Sequence, residues 1–205
     1  MPQAIYWIGG SPCCGKSAVA EHLAGKHGFF LYSLDEDLGE FMNRLAKQGN
    51  SLCQALQKPW TDATWTRDVQ DLCREQELLY EAIFPLVWQK LSALHPDITV
   101  LAEGAGLMPC LLKKAGVPAK RYLCMVPSPS FQWEHYARRD WVELFLKDCA
   151  QPEFAFRRWM KRDELFARRR MEEAKALDYS TLLVDGTLTL EQTLARVEEV
   201  FGLVE

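Results

Sequence analysis

The sequence predicts an α/β fold in which a parallel sheet of five strands is covered by helices on both faces. Five short apolar runs alternate with longer segments of helical periodicity along the 205 residues. The runs are rich in β-branched and aromatic residues, which is typical of buried strands. Polar residues follow four of them, at Lys16, Asp35, Glu103 and Asp185. Because the carboxyl ends of parallel strands meet at one edge of a sheet, these side chains are expected to lie close together.

Each element has a local signal. The predicted strands cover residues 4–8, 29–33, 97–104, 121–128 and 180–186. The predicted helices cover residues 16–28, 35–49, 61–94, 130–178 and 189–203. Pro59 breaks the pattern before the third helix, and Pro85 predicts a kink inside it. The closing helix is expected to begin with a capping box, since Thr189 and Gln192 have the required spacing.

Composition excludes several classes of protein. With 48% hydrophobic and 25% charged residues, the chain can form one domain with a sizeable core, spanning residues 1–205. The net charge of −4 gives no general attraction to nucleic acid or to a membrane surface. The seven cysteines are scattered and no export signal is recognised, so we expect reduced thiols and a cytoplasmic location. Either a monomer or a homodimer fits these observations.

A glycine-rich loop separates the first predicted strand from the first predicted helix. Residues 10–17 read GSPCCGKS and match the phosphate-binding pattern G-x-x-x-x-G-K-[ST]. Its glycines permit backbone angles that turn N–H groups inward, and the next helix aims its positive end at the same point. Lys16 is expected to bridge the β- and γ-phosphates, and Ser17 to ligate Mg²⁺. The predicted nucleotide site comprises Gly10, Ser11, Pro12, Cys13, Cys14, Gly15, Lys16, Ser17 and Ala18.

Two of these residues, Cys13 and Cys14, occupy variable positions of the pattern. They are expected to contribute backbone donors and packing, and a redox role for the pair stays open.

Acidic residues follow the second and third predicted strands. The second strand leads into SLDED, with Asp35 directly beyond the strand and Asp37 two residues later. A carboxylate there can orient an acceptor hydroxyl and take its proton, or it can simply favour the start of a helix. The third strand ends in LAEGAG, where Glu103 is expected to act on Mg²⁺ through water, or else only to precede a helix.

These motifs and the order of elements resemble the small P-loop kinases of metabolites and nucleotides, among them shikimate, gluconate, chloramphenicol and adenylate-type kinases and zeta-type toxins. The resemblance implies a three-layer P-loop NTPase fold with a helical lid insert, ATP as donor and Mg²⁺ as cofactor. It implies that Asp35 is the catalytic base and contacts the metal with Ser17 and Glu103. It also implies that Asp37 and Gly104 lie near the acceptor. A GTPase is not indicated, because the base-reading N-K-x-D motif is absent.

Arginine is concentrated in residues 130–178, where kinases of this class carry the lid. Arginines on a lid offset the charge of the transferred phosphoryl group. Arg158 and Arg162 are four residues apart on one predicted helix face and are expected to be catalytic. Arg138 is expected to contact the substrate. Most of the other arginines are expected to form a solvated face paired with glutamates.

Residues 38–94 lie where such kinases bind the acceptor. The segment contains three cationic residues, Arg44, Arg67 and Arg74, and two aromatic ones, Trp60 and Trp65. Of these, Arg44 is expected to bind substrate. This mixture suits a phosphorylated, carboxylated or sugar-like acceptor, or else consists of core tryptophans and surface arginines. No pattern in the segment identifies the acceptor.

The sequence therefore predicts an ATP-dependent phosphotransferase that moves the γ-phosphate of Mg·ATP to a hydroxyl of a small molecule. Three alternatives stay open. The first is a nucleoside monophosphate kinase, whose acceptor needs no catalytic base. The second is a nucleotide-binding regulatory protein without transfer. The third is a polynucleotide end kinase, against which the acidic balance argues.

Overall fold

The structure, a computed structural model, describes residues 2–203 and contains one five-stranded parallel sheet. Its strands are β1 (Ala4–Gly10), β2 (Phe30–Ser33), β3 (Thr99–Glu103), β4 (Tyr122–Pro127) and β5 (Ser180–Val184). Their order across the sheet is β2-β3-β1-β4-β5, and all neighbours are parallel. The predicted α/β fold class is thereby confirmed. The predicted domain ends, residues 1 and 205, lie outside the described residues.

Ten helices and one short 3₁₀ turn, Ala119–Arg121, connect the strands within residues 2–203. The helices are α1 (Lys16–His27), α2 (Leu34–Lys47), α3 (Ser51–Leu56), α4 (Asp62–Trp65), α5 (Val69–Ser92), α6 (Pro109–Lys114), α7 (Pro129–Tyr136), α8 (Trp141–Leu146), α9 (Pro152–Ala176) and α10 (Leu190–Phe201). None of the described helices is both long and apolar enough to cross a membrane.

Two apolar clusters lie on opposite faces of the sheet. Alternate residues of β1 divide between them, since Tyr6 and Ile8 face α1 and α10 whereas Trp7 faces α2, α5 and α9. Both faces are buried, which explains why the central strands read as continuous apolar runs. A third cluster joins α4 and the start of α5 to α7–α9, and it includes Trp65, Tyr136 and Trp159.

Several predicted boundaries differ from the structure. The long helix predicted over 61–94 is two helices, because Asp68 caps a new start by accepting the N–H of Gln70 at 2.6 Å. The predicted helical region 130–178 is three helices, α7, α8 and α9, and α6 was not predicted. The helix α5 continues across Pro85. The capping box is confirmed, with reciprocal hydrogen bonds between Thr189 and Gln192 of 2.9 and 3.2 Å.

The strand register brings the predicted polar residues to one edge of the sheet. Glu103, the last residue of β3, pairs with Ile8 of β1 on one side and with Ser33 of β2 on the other. The glycine-rich loop begins at the end of β1, and α2 begins directly after Ser33. The loop, Glu103 and the first turn of α2 are therefore neighbours.

Candidate active site

The glycine-rich loop, residues 10–17, has the left-handed backbone angles that a phosphate nest requires. The φ angles of Gly10, Cys13 and Gly15 are 122°, 64° and 75°. A Cβ on Gly10 would lie 1.8 Å from the carbonyl oxygen of Met125, so only glycine fits there. The N–H of Ser11 donates to the same oxygen at 3.0 Å, which fixes the loop against β4. The loop is thus held in shape by its own backbone and by a neighbouring strand.

The two loop cysteines differ in their surroundings. Cys14 is 1% exposed, and its thiol lies 3.2 Å from the carbonyl oxygens of both Ser11 and Met125. Burial raises the pKa of Cys14, although Lys16 opposes the shift. Burial also raises the pKa of Cys13, against the opposing charge of Arg139. Both thiols are therefore held in the protonated form, which disfavours the redox role that the sequence left open.

Lys16 opens α1 and is 7% exposed. Its Nζ donates to the carbonyl oxygen of Ser11 at 2.7 Å, so the ammonium lies directly over the loop. Burial disfavours the charge, but the carboxylates of Glu103 and Asp35 oppose this effect, and the pKa of Lys16 is raised above its usual value. The lysine is therefore a cation at the centre of the loop.

Glu103 is 2% exposed and has one free oxygen. Its Oε1 accepts the hydroxyl of Ser33 at 2.6 Å, whereas Oε2 is buried without a hydrogen-bond partner in the described part of the chain. Burial raises the pKa of Glu103, while Ser33, Lys16 and Ser17 partly offset the shift. An orphaned carboxylate oxygen beside the exposed Ser17 hydroxyl fits a hard cation or its bound water. Ser17 and Glu103 are therefore the residues that could hold Mg²⁺.

Asp35 lies in the first turn of α2, and its side chain is exposed. Ser33 is the residue that precedes the helix, but its hydroxyl is engaged by Glu103 and makes no cap to the helix. The side chain of Asp35 makes no hydrogen bond or ion pair with any of residues 2–203. Its charge nevertheless raises the pKa of both Lys16 and Glu103. It is the free carboxylate of this edge of the sheet.

A cleft of about 1340 Å³ opens beside the loop. It is lined by the loop residues Pro12, Cys13, Gly15, Lys16, Ser17 and Ala18. Asp35 and Arg162 also line the cleft. Of the four predicted catalytic residues, only Arg158 does not line it. Within residues 2–203 no cluster of three or more His, Cys, Asp or Glu side chains could hold a metal ion.

An aromatic wall forms another part of the cleft lining. We use this name for Trp60, Trp65, Tyr136, Trp141, Phe145 and Trp159, all of which line the cleft. The ring of Trp60 lies 5.2 Å from that of Trp65, 5.0 Å from Phe145 and 5.1 Å from Trp159, centroid to centroid. The wall therefore joins the predicted acceptor segment to the predicted lid through contacts of aromatic rings.

Arg162 is built into this wall. Its guanidinium lies 5.6–5.9 Å from the ring centroids of Trp60, Trp65 and Trp159. Arg162 also pairs with Asp163 at 2.7 Å. Asp163 is fully buried and additionally accepts the hydroxyl of Tyr136 at 2.8 Å and the indole N–H of Trp159 at 3.1 Å. One carboxylate thus fixes the arginine and two of the rings.

The expected partnership between Arg158 and Arg162 is not present. Arg158 donates to the carbonyl oxygen of Trp65 at 3.0 Å and to that of Arg67, and it does not line the cleft. Its guanidinium satisfies the end of α4, where backbone carbonyls lack helical partners. Arg158 and Arg162 are four residues apart on α9, as predicted, but they contact different partners.

Predicted substrate-binding residues also lie elsewhere. Asp37 is paired with Lys90 of α5 at 2.7 Å. Arg44 is an exposed residue of α2, and Arg138 pairs with Glu134 one helical turn away on the surface. None of these three lines the cleft. The structure therefore does not bring them to the site: Asp37 is engaged by a neighbouring helix, Arg44 is exposed on α2, and Arg138 is exposed in the turn after α7.

Gly104 serves packing. A Cβ there would lie 2.7 Å from Cβ of Leu34, so the glycine lets the start of α2 approach the end of β3. A Cβ on Gly106 would similarly meet Leu34 and Tyr80, both at 2.6 Å. Asp185 is exposed and shapes its own turn by accepting the N–H and hydroxyl of Thr187 at 3.0 and 2.6 Å. Neither Gly104 nor Asp185 lines the cleft.

Sequence reasoning did not single out Arg139, Gln76 or Tyr80 as site residues, although all three line the cleft. Arg139 acts on the thiol of Cys13, which places a second cation beside the loop. Gln76 donates to the hydroxyl of Tyr80 at 3.3 Å, four residues along α5. The four-residue spacing was readable, but nothing in the sequence indicated that this face of α5 meets the cleft.

A hydrogen-bonded contact joins the start of α4 to the segment before α9. The carboxylate of Asp62, at the start of α4, accepts the backbone N–H groups of Ala150 and Gln151 at 2.8 and 3.2 Å. The thiol of Cys149 approaches the carbonyl oxygen of Trp60 at 3.8 Å in the same region. The segment before α9 is thereby attached to the segment that carries Trp60.

No family model and no curated protein matches this chain, but solved structures match it along its length. TT1252 from Thermus thermophilus is 18% identical, with a TM-score of 0.53 and coverage of 100% of both chains. Shikimate kinase from Aquifex aeolicus is 16% identical, with a TM-score of 0.51, covering 97% of this chain and 96% of that one. Shikimate kinase from Acinetobacter baumannii, solved in complex with shikimate, is 12% identical, with a TM-score of 0.51 and coverage of 99% and 95%. The chain shares the fold of these structures, shikimate kinases among them, as the sequence resemblance predicted.

Proposed function

We propose that this protein is an ATP-dependent phosphotransferase that transfers the γ-phosphate of Mg·ATP to a hydroxyl of a small molecule. The observation that carries the proposal is the meeting of Lys16, Ser17 and Asp35 in one cleft, with Glu103 directly behind them. The loop supplies a donor site, and the free carboxylate supplies what an alcohol acceptor needs. The shared fold with shikimate kinases is consistent with this activity.

On the donor side, the N–H groups of the loop and the start of α1 bind the phosphates. Lys16 exchanges its hydrogen bond to Ser11 for one to the γ-phosphate, where its charge offsets the charge of the transferred group. Ser17 and the free oxygen of Glu103 would hold Mg²⁺, directly or through water, and the ion would supply positive charge toward the phosphates.

On the acceptor side, Asp35 orients the hydroxyl and accepts its proton. The hydroxyl oxygen forms a bond to the γ-phosphorus while the bond between that phosphorus and the β–γ bridging oxygen breaks. ADP leaves with the electron pair, and the proton resides on Asp35. Arg139, a cleft-lining cation with no carboxylate partner within residues 2–203, stabilises the negative charge near the transferred group.

The segment α7–α9 is proposed to be the lid. It supplies Arg139 and Arg162, and its aromatic residues cover the cleft on the side facing away from the sheet. Exclusion of water by this segment would favour transfer to the acceptor over hydrolysis of ATP.

The experiment is a screen for ADP release with ATP, Mg²⁺ and a library of hydroxyl compounds, run on the wild type and on Asp35→Asn. We expect acceptor-dependent turnover that Asp35→Asn lowers by about 10²-fold or more, as expected for loss of a general base. The matched control is Asp37→Asn, since Asp37 lies on the same helix but pairs with Lys90 outside the cleft. If Asp35→Asn retains turnover with a nucleoside monophosphate as acceptor, the result would instead support a nucleoside monophosphate kinase. ATP binding without acceptor-dependent turnover would support a regulatory protein.

A further inference from the structure

We infer that the acceptor is an uncharged, largely apolar molecule of aromatic character that carries a hydroxyl group, and this inference rests on the proposed function. Two independent features of the cleft carry it: the exposure of apolar side chains and the pairing of the arginines.

The cleft exposes apolar side chains that a folded protein ordinarily covers. Trp141, Leu144 and Phe145 of α8 are 37%, 66% and 48% exposed, and all three line the cleft. Leu38 and Met42, one turn apart on α2, contribute to the same lining on the side of Asp35. Apolar area of this kind is stabilised by burial at about 25 cal/mol per Å². A sugar-like acceptor would leave it unused, whereas an aromatic one would cover it.

The arginines of the acceptor side are already neutralised. Arg67 forms two hydrogen bonds with the carboxylate of Glu75, one of them at 2.9 Å. Arg162 is paired with the buried Asp163. A carboxylated or phosphorylated acceptor would have to displace these carboxylates to gain a bidentate arginine contact. The cleft-lining lysines, Lys58 and Lys147, are exposed and flexible point charges, and so provide a weaker site for a fixed anion.

Gly39 provides a selective way to block this region. It lies on α2 one turn after Asp35, lines the cleft, and a Cβ there would meet no atom within 4 Å. Gly39→Phe would therefore fill acceptor space and leave the glycine-rich loop untouched. Gly25→Phe is the matched control, since Gly25 is a helical, exposed glycine of α1 with equally open surroundings and no part in the cleft. Both changes replace a helix-destabilising glycine, so both variants are expected to fold.

The test measures binding without ATP, using N-phenyl-1-naphthylamine as an uncharged aromatic probe and fluorescence as readout. We expect saturable binding that Gly39→Phe weakens at least tenfold and Gly25→Phe leaves unchanged. Uncharged aromatic alcohols are expected to displace the probe at concentrations at least tenfold below those of gluconate, shikimate or adenosine monophosphate. Calorimetric titration with such an alcohol should give a negative heat-capacity change, the mark of apolar burial.

Equal probe binding by Gly39→Phe and Gly25→Phe, or preferential binding of the charged compounds, would overturn the inference. An aromatic alcohol that binds in the cleft but is not phosphorylated in the presence of Mg·ATP would leave the ligand class standing and refute the proposed transfer. If only a polar acceptor is phosphorylated, the proposed transfer stands and the inferred ligand class is refuted.

Discussion

The two sides of the cleft are built on different principles. The loop side is one contiguous segment, residues 10–17, whose binding groups are mainly backbone N–H groups held by left-handed glycines and by β4. The other side, the aromatic wall, gathers side chains from α7–α9, α4 and the segment before α4. The shape of the loop depends on a short run of contiguous residues, whereas the wall depends on contacts between distant segments. The comparison teaches that one side can be recognised in the sequence and the other only in the folded chain.

The largest effect on stability is expected at the centre of the wall. Asp163→Ala would remove the carboxylate that pairs with Arg162 and accepts from Tyr136 and Trp159, leaving three groups without their partner. Breaking a buried pair in this way should cost about 3–5 kcal/mol of unfolding free energy, measured by urea denaturation. Glu153→Ala, on the exposed side of the same helix, is the control and should be nearly neutral. A small loss in Asp163→Ala would mean that the wall is not organised by this residue.

The largest effect on catalysis is expected on the loop side. Lys16→Ala should lower kcat by about 10²–10³-fold, the usual result of removing one preorganised charge or donor from a transition state. Lys26→Ala on the same helix is the control, because Lys26 is 64% exposed in its side chain and pairs only with Glu198. The measurement is steady-state turnover with the acceptor found by screening. A near-normal turnover rate in Lys16→Ala would show that the loop lysine does not contribute to catalysis.

An intermediate effect is expected for Arg158→Ala. The substitution leaves the carbonyl oxygens of Trp65 and Arg67 without a donor and should loosen the end of α4 by about 1.5–3 kcal/mol, as for other hydrogen bonds from charged groups. Since Arg158 contacts no part of the loop, the acceptor KM should rise while ATP affinity is retained. A fall in kcat with an unchanged acceptor KM would instead restore the catalytic role predicted from the sequence.

The smallest effect is expected for Arg138→Ala. The pair with Glu134 is one helical turn long and lies in solvent, with both side chains more than half exposed. Such pairs contribute about 0.3–0.5 kcal/mol, which thermal unfolding in low and high salt would resolve. Turnover should match that of the wild type, and a clear fall in turnover would place Arg138 back in the substrate site.

The sequence predicted the fold and the loop side well because their signals are local. The order of strands and helices, the GSPCCGKS pattern and the positions of Asp35 and Glu103 after strands all depend on contiguous residues. The remaining site residues depend on contacts between distant segments. Arg158 and Trp65 are 93 residues apart, and Lys90 and Asp37 are 53 apart. Periodicity predicted which residues share a helix face, but not which helix packs against that face.

The hydrogen bond between Ser33 and Glu103 has a consequence for how binding at one side of the cleft affects the other. Ser33 precedes the helix that carries Asp35, and Glu103 offers its second oxygen to the donor side. Any ligand that fixes this carboxylate also fixes the hydroxyl bound to it, and with it the first turn of α2. If the cleft binds two substrates as proposed, their binding is energetically linked, and the linkage is reciprocal by thermodynamic necessity. Ser33→Ala should therefore leave both binding sites in place while making each ligand indifferent to the presence of the other.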